Sequence, residues 1–148
     1  MVYIGIDPGA KGAMALLEDG ERLPKIIPYN KEDYIDRLRT LFYEEAECIC
    51  CIEAVHALPK QGLTSTWNFG VSYGWLLGLL DTLAIPYQPI TPQKWKREFG
   101  LTSDKAKSIE VCKRLFPGVN LLRTERSRKE DDGMAEALLL SLYAKRKF

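Results

Sequence analysis

Three places along the chain put carboxylates where an apolar core would be expected. Asp7 ends the β-branched run Val2-Tyr3-Ile4-Gly5-Ile6, and Glu53 follows the apolar run from Cys48 to Ile52. Asp131, Asp132 and Glu136 stand beside Met134, Ala135, Ala137 and Leu138. Burying one unpaired carboxylate costs several kcal/mol, and gathering like charges costs more unless a cation lies between them. Each acid also has an ordinary account: an Asp-Pro-Gly turn for Asp7, an exposed strand end for Glu53, the positive end of a helix dipole for Asp131. If all three places converge, a hard dication such as Mg²⁺ or Mn²⁺ is the fitting ligand, because every donor is a carboxylate oxygen. Two such ions about 3.5–4 Å apart can clamp the attacking and leaving oxygens of an in-line phosphodiester displacement. No cysteine, serine or histidine nucleophile is then needed.

The elements that must position these acids follow from the pattern. Val2–Asp7 reads as a strand, Pro8-Gly9 and Gly12 as a turn, and Ala13–Glu18 as a second strand. Asp19-Gly20 is a hairpin signal, and Leu23–Pro28 is a third strand. Asn30 is placed to cap a helix carrying Tyr34, Ile35, Leu38, Leu41 and Phe42 at helical spacing. The run from Glu47 to Glu53 reads as a central strand buried on both faces. A long helix is expected from about Ser65 to Leu83, a strand over Ile85–Ile90 and a short helix over Lys94–Phe99. A helix capped by Ser103 then runs to Phe116, and a basic loop, Arg123–Lys129, leads to a last helix from about Glu130 to Lys145. The order βββαβαβα with an initial meander implies a mixed sheet with helices on its faces. On the last helix Asp132 and Glu136 lie about 40° apart around the axis, whereas Asp131 and Glu136 lie about 140° apart. Asp131 is therefore better suited to the helix dipole, or to a salt bridge with the basic loop before it.

The chain has 148 residues, 46% hydrophobic and 28% charged, which fits one globular domain over 1–148 and excludes a two-lobed kinase. Val71–Leu83, the longest mostly apolar stretch, is broken by Ser72, Gly74, Gly78 and Asp81, so no membrane partner is expected. Met1-Val2-Tyr3-Ile4 has neither a basic n-region nor a small-residue cleavage site, which makes the cytoplasm the expected compartment. The net charge of +1 hides an asymmetry. Residues 1–92 carry 7 Lys and Arg against 12 Asp and Glu, and residues 93–148 carry 14 against 8. An acidic part joined to a basic part suggests a polyanion partner, although an uneven solvated surface has the same composition. Lys94, Lys96, Arg97, Arg126 and Arg128 are the candidate phosphate contacts of the basic part. His56, Lys60 and Gln61, in the loop directly after Glu53, are further candidates for touching a DNA backbone.

Ile4-Gly5-Ile6-Asp7-Pro8-Gly9, Cys51-Ile52-Glu53-Ala54-Val55 and Asp132-Gly133-Met134-Ala135-Glu136-Ala137-Leu138 together resemble a RuvC-type Holliday junction resolvase. The likeness runs from Val2 to Ala144. Trp67-Asn68-Phe69-Gly70 and the Asp-Gly-x-Ala-Glu pattern make the phage-encoded branch the most similar. The resemblance implies an RNase H-like α/β fold: a five-stranded mixed sheet, antiparallel meander plus parallel strands, with helices on both faces. It implies a homodimer that resolves four-way DNA junctions by paired nicks, with two Mg²⁺ or Mn²⁺ ions per active site and no nucleotide cofactor. Asp7, Glu53, Asp132 and Glu136 would be both catalytic residues and metal ligands, with Asp7 bridging the ions. Lys105 or Lys107 would supply the catalytic basic residue. The sequence departs from the bacterial resolvases in two places. Their last-helix ligands are three apart, and three before Glu136 stands Gly133, so that role moves to Asp132. Where they carry an aromatic wedge three residues after the strand-end Glu, this chain has His56.

Gly70, Gly74 and Gly78, four apart in an apolar helix, let another backbone approach closely. The chain's own sheet is one candidate for that approach. The resemblance instead makes the helix a dimer interface, with Gly70, Gly74, Trp75 and Gly78 at the contact and Leu76 and Leu79 as further anchors. Two other functions fit parts of the pattern. One keeps the nuclease fold but acts on flaps, forks or structured RNA. The other is an actin- or sugar-kinase-type ATP-binding domain, whose first strand, acid and glycine turn look similar to Asp7-Pro8-Gly9.

Overall fold

The computed structural model describes residues 1–56, 60 and 62–148. Its elements are β1 (Val2–Asp7), β2 (Ala13–Glu18), β3 (Lys25–Pro28), α1 (Lys31–Tyr43), β4 (Cys48–Glu53), α2 (Leu63–Thr82), β5 (Tyr87–Ile90), α3 (Pro92–Glu98), α4 (Lys105–Leu115) and α5 (Asp132–Lys147). The five strands form one sheet in the order β3-β2-β1-β4-β5. β1, β2 and β3 are the antiparallel meander, and β4 and β5 run parallel to β1.

Alternation along the strands sorts the core into two layers. Ile4, Ile6, Met14, Leu16, Cys50 and Ile52 face α1 and α2, where Tyr34, Leu38, Leu76 and Leu80 are fully buried. Tyr3, Ala13, Ala15, Leu17, Ile49 and Cys51 face α3, α4 and α5. Gly5 and Asp7 share parity with Tyr3, and Glu53 with Cys51, so both strand-end acids point to the α5 side. The parallel register pairs Ile6 with Ile52, which leaves Asp7 and Glu53 one step further on, side by side at the C-terminal edge.

Counted separately, the three helices expected after the last strand are α3, α4 and α5, which makes the full order βββαβαβααα. Several boundaries also move. β3 starts at Lys25, with Leu23 left 56% exposed ahead of Pro24. α3 begins at Pro92, a residue whose missing N–H costs nothing in the first helical turn. Asp104, not Ser103, caps α4, its carboxylate accepting from the Ala106 N–H at 3.0 Å. Asn30 does cap α1, accepting from the Glu32 and Asp33 amides. Among the described residues no helix is long and apolar enough to cross a membrane.

α5 packs directly on β1. An added Cβ at Gly5 would lie 2.1 Å from the Ala137 carbonyl oxygen and 2.2 Å from the Ser141 nitrogen, both helix backbone. Such contacts cannot be relieved by turning a side chain. Gly5→Ala is accordingly expected to lower unfolding free energy by about 2–3 kcal/mol or more, the upper range for overpacking. Urea denaturation measures this; a loss below about 1 kcal/mol would mean that α5 slides along the sheet without resistance.

Candidate active site

Four carboxylates from three elements meet beyond the C-terminal edge of β1 and β4, the usual place for a ligand in an open α/β sheet. Asp7 and Glu53 come from the strand ends, and Asp132 and Glu136 from the first turns of α5. Burial pushes the Asp7 carboxyl well above the ordinary aspartate range, and Glu53, Glu136 and Asp132 push it further by charge repulsion. Burial also raises Glu53, partly offset by a hydrogen bond from Trp95, while Glu136 adds repulsion.

Neighbouring side chains hold three of the four acids. The Trp95 indole N–H donates to Glu53 Oε2 at 2.7 Å. Ser108 Oγ donates to Glu136 Oε1 at 3.1 Å, and the Lys96 ammonium reaches the same oxygen at 3.0 Å. Lys105 Nζ lies 2.9 Å from Asp132 Oδ2, a pairing that raises the lysine's pKa. As these side chains stand, no three His, Cys, Asp or Glu among the described residues form a ligating group. Asp132 and Glu136 are each paired to an ammonium instead.

Asp131 is held elsewhere. It is the N-cap of α5, accepting from the Met134 N–H at 2.9 Å. Arg123 grips it with two donors, Nε at 2.7 Å and Nη2 at 2.9 Å. These bonds keep Asp131 below the usual aspartate range despite its partial burial. Arg123 Nη2 also donates to the carbonyls of Lys11 and Gly12, so one guanidinium ties the β1–β2 turn to the start of α5.

The remaining candidates are spread more widely. Lys96 turns from the surface to Glu136, whereas Lys94 and Arg97 stay exposed on α3. Lys107 is exposed on α4 and makes no ion pair among the described residues. Arg126 and Arg128 are exposed in the loop before α5, and His56 and Lys60 are exposed after β4. Gln61 lies outside the described residues. On α2, Gly70, Gly74 and Gly78 turn away from the sheet, with no atom within 4 Å of an added Cβ. Packing on the chain's own sheet therefore does not explain them. Leu76 is the exception among the expected anchors, being fully buried in the chain's own core and unavailable to a partner.

Trp95 and Ser108 are not singled out by the sequence, and Lys96 is expected on DNA instead of on Glu136. Trp95 and Lys96 follow Pro92 by one helical turn, a weak local signal. Ser108 reaches its partner across 28 residues, and nothing local marks it. The pairing of Asp131 with Arg123, the first residue of the basic loop, is the salt bridge expected for that acid.

No family model matches the sequence, and neither does any curated protein. Solved structures do match. Thermus thermophilus RuvC in complex with a Holliday junction substrate aligns with a TM-score of 0.58 at 17% identity, covering 99% of this chain and 97% of that one. A second Thermus thermophilus RuvC structure aligns at 0.59 and 16% identity, covering 99% and 96%. The chain has the RuvC fold. The alignments cover 99% of the chain, so the likeness extends over its length and is not confined to part of the sheet.

All donors at the site are carboxylate oxygens, and among the described residues no lysine sits on the oxygens of Asp7, so the residues fit a hard dication. A carboxyl raised in the folded state contributes stability below its unfolded pKa and loses it as pH rises through the folded value. Without metal, the protein should therefore lose stability as pH climbs from about 4, where unfolded aspartate ionises. Asp7→Asn should be more stable than the parent at neutral pH, and the gap should close near pH 4. Thermal melts across pH in a chelator test this, and a gap that grows on acidification would contradict the charge account.

Proposed function

We propose that the chain is a divalent-metal-dependent endonuclease that cuts branched DNA, four-way junctions foremost, as a homodimer making paired nicks. The observation that carries the proposal is the convergence of Asp7, Glu53, Asp132 and Glu136 at the strand ends of a RuvC-like sheet. A structural neighbour was solved with a Holliday junction substrate. The proposed compartment is the cytoplasm, the host's if the chain is phage-encoded.

Asp7, Glu53, Asp132 and Glu136 would hold two Mg²⁺ or Mn²⁺ ions. Bound there, the ions would lower the pKa of water and stabilise the leaving oxygen of a phosphodiester. The chain's own residues prepare the site for this. Trp95 and Ser108 orient Glu53 and Glu136, and Arg123 with Asp131 fixes the start of α5 over Asp7. Lys105 is placed to stabilise charge developing on a phosphate near Asp132, and exposed Lys107 is the second candidate. Lys94, Arg97, Arg126, Arg128, His56, Lys60 and Gln61 would steer the DNA backbone toward the acids. The bare Gly70, Gly74 and Gly78 face of α2, with Trp75 beside it and Trp67 73% exposed, suits the two-fold contact. Two sites related by a two-fold axis can nick symmetry-related strands.

A labelled synthetic junction in Mg²⁺ or Mn²⁺ decides the matter: paired nicks are expected, and a junction left intact by folded protein would overturn the reading. Flap, fork and structured RNA substrates in the same panel separate the alternatives, because faster cutting of any of them reassigns the substrate. Asp7→Asn should abolish cleavage while binding the junction as tightly or more tightly, since a charge facing phosphate is removed. Asp132→Asn and Glu136→Gln should each slow cleavage by at least about 100-fold. Asp131→Asn should cost less than about tenfold in rate, because Asn still caps α5 and only the charge facing Arg123 is lost. The opposite ranking in a single-turnover assay would make Asp131 the ligand.

A further inference from the structure

We propose that Trp95 is a positioning residue for cation binding, its indole N–H fixing Glu53 so that one carboxylate oxygen remains for the ion; this rests on the metal-dependent reading above. Trp95 sits in the middle of α3 and is fully buried, packed in the layer that includes Cys51, Ile90, Leu101 and Ala137. Its Nε1 donates to Glu53 Oε2 across 42 residues of sequence at 2.7 Å. That distance is at the short end for a nitrogen donor, as expected when the acceptor is ionised. An indole is a donor only, so the bond has one direction and no alternative tautomer. Its rigid ring is locked by packing, and no water can take its place in a fully buried site.

The geometry divides the work between the two oxygens of Glu53. Oε2 is held by Trp95, and among the described residues no donor is hydrogen-bonded to Oε1. The neighbouring residue on α3 acts in parallel. Lys96 Nζ pairs with Glu136 Oε1 and lies 5.2 Å from the centre of the Trp95 ring. One short helix thus grips an acid of β4 through residue 95 and an acid of α5 through residue 96. The spacing between Glu53 and Glu136 is set by α3, which belongs to neither element. A phenylalanine at position 95 would keep most of the buried ring and lose only the donor. Glu53 would then be free to choose among rotamers, and the cation would have to fix it at binding. Partners of this kind typically change metal affinity by 10–100-fold.

Isothermal titration of the full-length protein with Mn²⁺ tests the role. Trp95→Phe should weaken Mn²⁺ binding by about tenfold or more, with cleavage approaching the parent rate at saturating Mn²⁺. Leu17→Ala, which opens the same core layer beside Tyr3 at the opposite end of β1 from Asp7, should lower thermal stability yet leave Mn²⁺ affinity unchanged. A folded Trp95→Phe protein that binds Mn²⁺ as the parent does would overturn the role of Trp95 alone. A parent protein that binds no Mn²⁺ would overturn the metal-dependent reading, and the role with it. Should Trp95→Phe fail to fold, the parent still answers by NMR, with the indole N–H signals of Trp67 and Trp75 as internal references. The Trp95 signal should lie downfield, move on Mg²⁺ addition and return upfield in Glu53→Gln. A Trp95 signal indifferent to both changes would overturn the proposal.

Discussion

The structure depends on how closely α5 lies against β1. At Gly5 the helix backbone occupies the space a Cβ would need, and at Gly133 an added Cβ would lie 2.3 Å from the Lys11 carbonyl oxygen. These two close approaches bring the start of α5 over the end of β1, so Asp132 and Glu136 meet Asp7. The meeting is electrostatically unfavourable, and apolar packing further along the helix offsets it. Leu138, Leu139 and Leu140 are all fully buried, at roughly 1.5–3 kcal/mol each. A carboxylate cluster therefore forms because the remainder of α5 is anchored in the core, not because the acids attract one another.

Compensation of the charges is uneven. Glu136 has Lys96 and Ser108, Asp132 has Lys105, and Asp131 has both prongs of Arg123. Among the described residues Glu53 has only a neutral donor, Trp95. Asp7 is left facing the others, with Lys105 as a distant moderating charge, and burial and repulsion push its carboxyl well above the ordinary aspartate range. Positive charge is thus deficient at the middle of the cluster and sufficient at its margins. A dication held there would relieve the repulsion at Asp7 and Glu53, the two acids on the sheet, whereas Asp132 and Glu136 would have to give up a lysine to take part.

Much of this framework was legible in the sequence. β1 and β2 match residue for residue, because β-branched and apolar alternation bounded by glycine turns has few other readings. The strand-end positions of Asp7 and Glu53 followed from the same signal. The boundaries that moved are those where a terminal residue's own chemistry competes with its neighbour's. At the start of α4, Asp104 outbids Ser103, since an ionised carboxylate is the stronger acceptor for a helix amide. At β3, Leu23 matches a strand by type but lacks a partner opposite it. The partners of the acids were far less visible. Trp95 falls within the expected short helix without being marked there, and only its fully buried indole N–H reveals that it needs an acceptor. Ser108 acts through a contact that no periodicity encodes.

The departure at position 133 has a physical reason in the same packing. The bacterial resolvases that this chain resembles would place an acid three residues before Glu136, and Gly133 stands there. A side chain at that position would collide with the Lys11 carbonyl and come within 3.1 Å of Asp7 Oδ2 and 3.2 Å of Asp131 Oδ1. The β1–β2 turn, drawn in by Arg123 through the carbonyls of Lys11 and Gly12, leaves no volume there. An acid one residue earlier avoids the collision while remaining within about 40° of Glu136 around the helix. The clasp that excludes a side chain from position 133 also consumes Asp131, which must accept from Arg123 and cap the helix together. Asp132 is then the one remaining acid of that turn able to face Asp7, and Lys105 meets it there at 2.9 Å. Arg123, Gly133 and Asp132 act together: the clasp that tightens the turn over the helix start excludes a side chain at position 133 and leaves position 132 for a carboxylate near Asp7.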